Sequence, residues 1–343
     1  MSNLTTSTPF IDLHVHLREP GQTAKGDVRH ETAAAHAGGF GTIVAMANTT
    51  PVIDRPSRWQ EMQELLAREA HPGVNVIQCA AMTLDRAGKE PVDAAALKAA
   101  GVIALTDDGT TPLDNGLMDE VAARAKEAGL LLIDHCEDLP CTREGEIRYA
   151  ERDILLAQKY GVRMHLQHLS CREVTEMLRQ AQKDGIPVTG EVTPHHIALT
   201  EAALAKWGTN AKMAPPLRQE ADREALIAAL LDGTLTAIAT DHAPHTAEEK
   251  ALPFDKAPNG IIGLEAAFTV CNTVLVQSGL MTLEKLLWLF TEGPRQILGI
   301  EQPTGTISID PFCPVVIDTA SFKSKSLNCP WHGFQGTGKV LQA

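Results

Sequence analysis

The residues best suited to chemistry begin with His14-Val15-His16, at the end of an apolar run. A spacing of two on a strand points both imidazoles to the same face, so one metal ion can take both. Groups of the same kind follow other apolar runs: Thr106-Asp107-Asp108-Gly109, His135, His168 and Asp241, the last within Thr240-Asp241-His242-Ala243-Pro244-His245. Four imidazoles and two carboxylates gathered from five such ends suit one or two Zn²⁺-like ions. A lone histidine is ordinarily a hydrogen-bonded surface or core residue. These share one position, the C-terminal ends of strands, which a structural histidine has no reason to prefer.

The elements that must position them alternate between short β-branched or apolar runs and longer Ala/Leu/Glu-rich stretches, the order expected of a parallel sheet built from βα units. Eight strands are expected: Phe10–His16, Thr42–Ala47, Asn75–Ala80, Val102–Thr106, Leu130–His135, Arg163–His168, Pro187–Val192 and Leu235–Thr240. Between them, helices are expected at Asp27–Ala37, Arg58–Ala70, Asp93–Ala100, Met118–Ala128, Glu151–Lys159, Cys171–Lys183 and Arg218–Asp232, most followed by a glycine that can end a helix. Eight strands predict a closed α/β barrel of the TIM (β/α)8 type, with its active site at the strand C-termini. An open doubly wound sheet would announce a glycine-rich phosphate turn after its first strand, and none is visible. Residues 9–300 are read as the barrel, with helical stretches at Leu264–Gln277 and Leu283–Leu298. Residues 301–343 turn to Pro, Gly, Ser and Thr around one short apolar strand, Val315–Ile317, and read as an appendage.

Other candidates receive ordinary explanations. His30, His36 and His71 fall on helices or loops, and His165 has the wrong strand parity to face inward with His168. His195 and His196 follow the seventh strand and are expected to support the site from behind its ligands. Glu137 and Asp138 are expected to organise a loop, and Lys98 to lie on a solvated helix.

Composition excludes several functions. The 343 residues carry 43 acidic against 30 basic side chains, a formal net charge of −13, and no Lys/Arg-rich run. Affinity through phosphate neutralisation is therefore not expected, so nucleic acid is excluded as a partner. No apolar run is long enough to span a bilayer, and Met1–Pro9 lacks the basic start and apolar stretch of a signal peptide, so a cytoplasmic location with no membrane partner is expected. Seven scattered cysteines, none in a C-x-x-C spacing, read as reduced and incidental.

The motifs also resemble a known family. Asp12-Leu13-His14-Val15-His16-Leu17-Arg18-Glu19-Pro20-Gly21 is similar to the signature of dihydroorotases in the amidohydrolase superfamily. Met46-Ala47-Asn48-Thr49, Thr106-Asp107-Asp108-Gly109, His135-Cys136-Glu137-Asp138, Glu191-Val192-Thr193-Pro194-His195-His196, Pro215-Pro216-Leu217-Arg218 and Asp241-His242-Ala243-Pro244-His245 follow in the family's order. The resemblance implies His14, His16, His135, His168 and Asp241 as metal ligands. It also implies the branch in which an aspartate, here Asp108, stands in place of a metal-bridging carboxylated lysine. Arg18, Asn48 and His245 are implied to contact substrate, with backbone help around Asn259-Gly260.

The implied reaction is the zinc-dependent interconversion of dihydroorotate and N-carbamoyl-L-aspartate in pyrimidine biosynthesis, with one or two Zn²⁺. Asp241 is expected to accept a proton from water and return it to the leaving ring nitrogen. Arg18, on the loop over the metal, offers a guanidinium fork to a substrate carboxylate. Four departures from the family pattern bear on substrate and assembly. Ala47 stands where relatives usually have Pro, and Ala214 where they have Asn. The segment 136–167 is shorter than in many relatives, so a wall of the site is expected to be missing. The barrel also begins almost at once, without the preceding strands that relatives join to their C-terminal tail, so the tail is expected to form a remnant of a small β-sandwich or to pair with another chain. Two rival readings are another cyclic amidohydrolase, hydantoinase-like or allantoinase-like, and a non-catalytic dihydroorotase-like partner of aspartate transcarbamoylase. A homo-oligomer or a complex with that transferase fits an active enzyme as well.

Overall fold

The computed structural model describes residues 4–138 and 140–341. A short strand β1 (Thr5–Ser7) precedes eight barrel strands: β2 (Phe10–Val15), β3 (Phe40–Ala45), β4 (Asn75–Gln78), β5 (Ala104–Leu105), β6 (Leu131–Asp134), β7 (Met164–Leu166), β8 (Val188–Val192) and β9 (Ala237–Ile238). They pair in parallel in chain order. Bridges from Ala80 to Leu105 and from Val15 to His242 join β4 to β5 and bring the last strand back to the first, closing the ring. Its interior is filled by Ile11, Leu13, Val44, Met46, Ala104, Leu131, Ile133 and Ala237, a packed core and not a pore.

All eight expected strands are present, several of them shorter than their sequence runs. The shortening has a cause: His16, Thr106, His135, His168 and Thr240 lie just beyond the last laddered residues, where the backbone turns to aim side chains over the barrel mouth. At the opposite end the few aromatics concentrate. Phe10 lies 5.1 Å from Phe290 and 5.8 Å from Phe268, ring to ring, and closes the barrel floor.

The helices depart from expectation in three places. Instead of Glu151–Lys159 the helix runs from Arg143 to Tyr160, capped by Thr142, whose Oγ1 accepts from the Gly145 amide. The turns before Glu151 bury Gly145, Glu146, Tyr149 and Ala150, a carboxylate among small residues and one tyrosine, so no apolar stripe announced them. The Leu264–Gln277 stretch is a short α-helix, Ala267–Cys271, passing into a π-turn at Asn272–Gln277. Leu283–Leu298 is two helices, Leu283–Phe290 and Glu292–Leu298, broken at Thr291. Gly293 allows the second to press on β9, because a Cβ there would sit 1.8 Å from the Thr236 carbonyl oxygen.

The tail holds more structure than the single strand expected. β10 (Ile307–Val316) and β11 (Gln335–Leu341) form an antiparallel sheet with β1, in the order β1-β10-β11. Pro311 and Pro314, with a register shift between Asp310 and Pro314, obscured β10 in the sequence. Thr5 pairs with Ile309 and Ser7 with Ile307, so the residues before the barrel do contribute a strand. Between β10 and β11 the chain returns to the barrel, where Trp331 is buried with Met213, Ile261 and Ile262. All seven cysteines are free, as expected.

Candidate metal centre and active site

Three overlapping groups of side chains meet above the barrel mouth: His14, His16 and Asp108; His14, His168 and Asp241; and Asp108, His135 and His168. The donor atoms within each group lie within 4.8 Å of one another. Asp108 links the groups. Its Oδ1 is 3.2 Å from His14 Nε2, 3.6 Å from His135 Nδ1 and 3.8 Å from His168 Nε2, while Oδ2 is 3.4 Å from His16 Nε2. Asp241 Oδ1 lies 3.1 Å from His16 Nε2 and 3.4 Å from His14 Nε2.

The nitrogens are oriented from behind. His16 Nδ1 donates to Asn48 Oδ1 at 3.0 Å, which leaves its Nε2 for the centre. His14 Nδ1 faces Glu191 Oε1 at 3.4 Å, and the other oxygen of Glu191 is 3.1 Å from His165 Nε2. His14 Nε2 is thereby turned inward, fully buried and without a hydrogen-bond partner. A buried, orphaned nitrogen beside two carboxylates, in a set of imidazole nitrogens and carboxylate oxygens, is what a divalent cation would satisfy.

Backbone strain concentrates at the same place. Arg18, Cys141, His168 and Asp241 all line the cavity and take φ of 63°, 62°, 32° and 47° respectively, a region that non-glycine residues seldom adopt. Electrostatics follow the geometry. Burial alone would push Asp108 and Asp241 up, but the facing histidines outweigh it and hold both carboxyls well below the usual range. Glu191 behaves alike: burial opposes its charge, yet His14 and His165 bring it down to about 2.

The cavity over the centre is about 260 Å³, lined by His16, Arg18, Asn48, Asp108, His135, Cys141, His168, Ala214, Asp241, His245, Asn259 and Gly260 among others. That lies just below the range of roughly 300–1,000 Å³ typical of sites for drug-sized ligands, and suits a small single-ring molecule. A larger cleft, about 840 Å³, runs beside β4 and residues 300–304 and contains none of these residues. Arg18 Nε donates to the Pro244 carbonyl at 3.1 Å, and an Nη2 hydrogen points to His245 Nε2 at 3.1 Å. Burial, with the Arg18 charge added, lowers His245 to about 3. His245 is therefore a neutral acceptor, and Arg18 keeps further N–H groups for an incoming anion.

Each residue expected in the site is thus brought to one cavity, with His14 beneath its floor. Asn48 differs in detail from the expectation of a simple substrate contact. Its amide already binds His16 and donates to Asp108 Oδ2 at 3.0 Å. Asp138 does organise its loop, accepting from the Thr142 amide and hydroxyl. Glu137 does not share that role: its Oε2 lies 3.5 Å from His135 Nε2, and burial pushes its carboxyl up to about 7. Lys98 is exposed and reaches the Gly129 carbonyl, far from any ligand role. His195 is buried, and His196 binds Thr193 and the Pro215 carbonyl. Sequence reasoning missed Glu191, although an acid inside the buried strand β8 demands a partner.

Comparison with known proteins bears on this arrangement. A family model described as dihydro-orotase-like matches residues 7–181. A dihydroorotase of Thermoanaerobacter sp. (strain X514) is 41% identical, the match covering 96% of this chain and 82% of that protein. The chain belongs to the dihydroorotase family. Another family member, from Bacillus caldolyticus, is also 41% identical, over 95% of this chain and 82% of its own. Among solved structures, an L-hydantoinase (dihydropyrimidinase) from Arthrobacter aurescens matches with a TM-score of 0.89 at 21% identity, over 97% of this dihydroorotase family chain and 82% of that one. A dihydropyrimidinase from Brevibacillus agri NCHU1002 matches with a TM-score of 0.86, also at 21% identity, over 99% and 84%. At such identity these structures speak for the barrel fold alone.

Proposed function

We propose that this chain is a metal-dependent dihydroorotase, a cyclic amidohydrolase that interconverts dihydroorotate and N-carbamoyl-L-aspartate in pyrimidine synthesis. The observation that carries the reading is the meeting of His14, His16, Asp108, His135, His168 and Asp241 beneath a small cavity that also holds Arg18 and His245. Zn²⁺ is the ion proposed, and the two ligand groups that share Asp108 favour two ions over one. When bound, Zn²⁺ supplies Lewis acidity that lowers the pKa of water from about 15.7 towards about 7 and polarises the substrate carbonyl.

The chain's own residues do the rest. Arg18 holds the substrate carboxylate, with His245 accepting one Arg18 N–H and so setting the angle of the guanidinium beside the anion, and the backbone at Asn259-Gly260 meets the ring amide. Asp241, kept ionised by His14 and His16, takes the proton of the attacking water. As the ring C–N bond breaks, the same carboxyl delivers that proton to the departing nitrogen. Cyclisation reverses each transfer. Ala214 in the cavity wall leaves the site without a side-chain amide there, so ring recognition falls to the backbone.

Residues 9–300 are proposed as the catalytic barrel and 301–343 as the C-terminal appendage, joined in its sheet by β1. No described helix is long and apolar enough to cross a membrane, and a cytoplasmic location is proposed. Association as a homo-oligomer or with aspartate transcarbamoylase is tested by mass measurement of the purified chain alone and mixed with the transferase. The function is tested by turnover of dihydroorotate, dihydrouracil and allantoin, alongside metal analysis. Turnover of dihydroorotate with bound zinc is expected; activity only on the other two substrates would reject the proposal.

A further inference from the structure

The tail segment between β10 and β11 reaches back to the barrel mouth. Lys323 and Ser324 place their amides on the Glu265 carboxylate, and the Lys325 amide donates to Glu31 Oε1. At the centre of this strap is Asn328, only 4% exposed. Its Oδ1 accepts from the His245 amide at 2.9 Å, and its Nδ2 donates to the carbonyls of Ala243 and Gly260, each at 3.0 Å. Its own carbonyl accepts from the Ile262 amide at 3.0 Å.

Ala243, His245 and Gly260 all line the cavity. They lie on two separate loops, and one buried side-chain amide ties both together. Gly260 is folded so tightly against its neighbour that a Cβ there would lie 2.6 Å from His245 Cδ2. The Pro244 carbonyl, between the two anchored residues, receives Arg18 Nε. We infer that Asn328 is a positioning residue for substrate recognition: through three side-chain hydrogen bonds it fixes the His245 and Gly260 loops, and through them the Arg18 fork. It touches none of the candidate metal ligands. Its loss should therefore weaken substrate binding and leave metal loading intact.

The inference rests on the dihydroorotase reading for the identity of the anion. Zinc-loaded wild type, Asn328→Ala and Asn328→Asp are compared, with Leu327→Ala as a control on an exposed strap residue. Asn328→Asp keeps the acceptor for His245 but loses both donors. Both Asn328 variants are expected to raise KM for dihydroorotate at least ten-fold, with kcat within three-fold of wild type and zinc content unchanged; Leu327→Ala should match wild type. A KM within two-fold of wild type in either variant, or losses of kcat that merely follow zinc content or folded fraction, would overturn it.

Hydrogen exchange of the wild type supplies a measurement that needs neither substrate nor a stable variant. The His245 amide should exchange as slowly as barrel amides, and exchange as fast as the exposed 251–256 loop would overturn the tether. Wild type that fails to turn over dihydroorotate would instead reject the proposed function, while the exchange result would still decide the tether.

Discussion

Glu191 shows how one buried side chain can govern a centre it does not enter. It sits on β8, wholly buried, with its two carboxylate oxygens divided between His14 and His165. Carboxylates behind ligating imidazoles fix the ring and raise its basicity, and their removal typically lowers metal affinity about 10–100-fold. Glu191→Gln is therefore expected to lower zinc affinity by that factor, read by competition with a chromogenic chelator, with little change in the fold. Unaltered affinity would show that His14 is oriented instead by Gln167, whose Nε2 lies 3.0 Å from His14 Nδ1. Glu191 stands in the motif Glu191-Val192-Thr193-Pro194-His195-His196, but strand parity in the sequence pairs neither it nor His165 with the centre. Parity fails here because His168 lies beyond the end of β7 with a φ of 32° and does not follow the strand's alternation, so His165 shares Glu191 with His14.

At the scale of elements, the helix Arg143–Tyr160 joins two site-bearing segments. Arg152 donates to Asp134 at 2.9 Å and Asp153 at 2.8 Å, and also to Thr111 Oγ1 at 2.8 Å. It thus ties the end of β6, which carries His135, to the loop that carries Asp108. Removing one partner of a buried ion cluster leaves charge uncompensated and costs about 3–5 kcal/mol. Arg152→Met should lower the urea midpoint accordingly with an unchanged m-value; a loss under about 1 kcal/mol would mean that the aspartates find other partners. The strap docks its Lys323 and Ser324 amides on another shielded carboxylate, Glu265, which precedes the helix Ala267–Cys271. Burial, with the Glu31 charge added, raises Glu265 from its ordinary 4.5 to about 7. The folded state therefore binds more protons than the unfolded one between those values, and the stability this group contributes below pH 4.5 is lost as pH rises through 7. The Tm difference between wild type and Glu265→Gln should shift in favour of the variant from pH 5 to pH 8, and a pH-independent difference would refute the assignment. Elements with apolar periodicity were legible in the sequence, as the eight strands show. The start of the 143–160 helix was not, because the residues it buries, Gly145, Glu146, Tyr149 and Ala150, form no continuous apolar stripe to read.

Across the whole molecule, the site is assembled on the barrel, and the C-terminal tail returns to brace its loops. The net charge of −13 gives no general attraction for an anion, so recognition is local, from the centre and the Arg18 fork. The composition changes near residue 300, where the proposed barrel gives way to the tail, but it carries no sign that the tail returns. Contacts between residues as distant as Asn328 and Ala243 leave no trace in local pattern. Removing residues 301–343 would take away β10 and β11, and with them Asn328 and the fully buried Trp331. It would uncover Met213, Ile261 and Ile262 beside the cavity and leave Phe268 without β11 over it. Exposed apolar surface of this kind favours association of the truncated chain with itself. A chain ending at Ile300 is thus expected to aggregate in size-exclusion chromatography, and any monomer recovered should hydrolyse dihydroorotate at least a hundred-fold less efficiently in kcat/KM. A soluble 1–300 fragment within three-fold of full-length efficiency would mean that the barrel shapes its own substrate loops and that the tail is, after all, only an attachment.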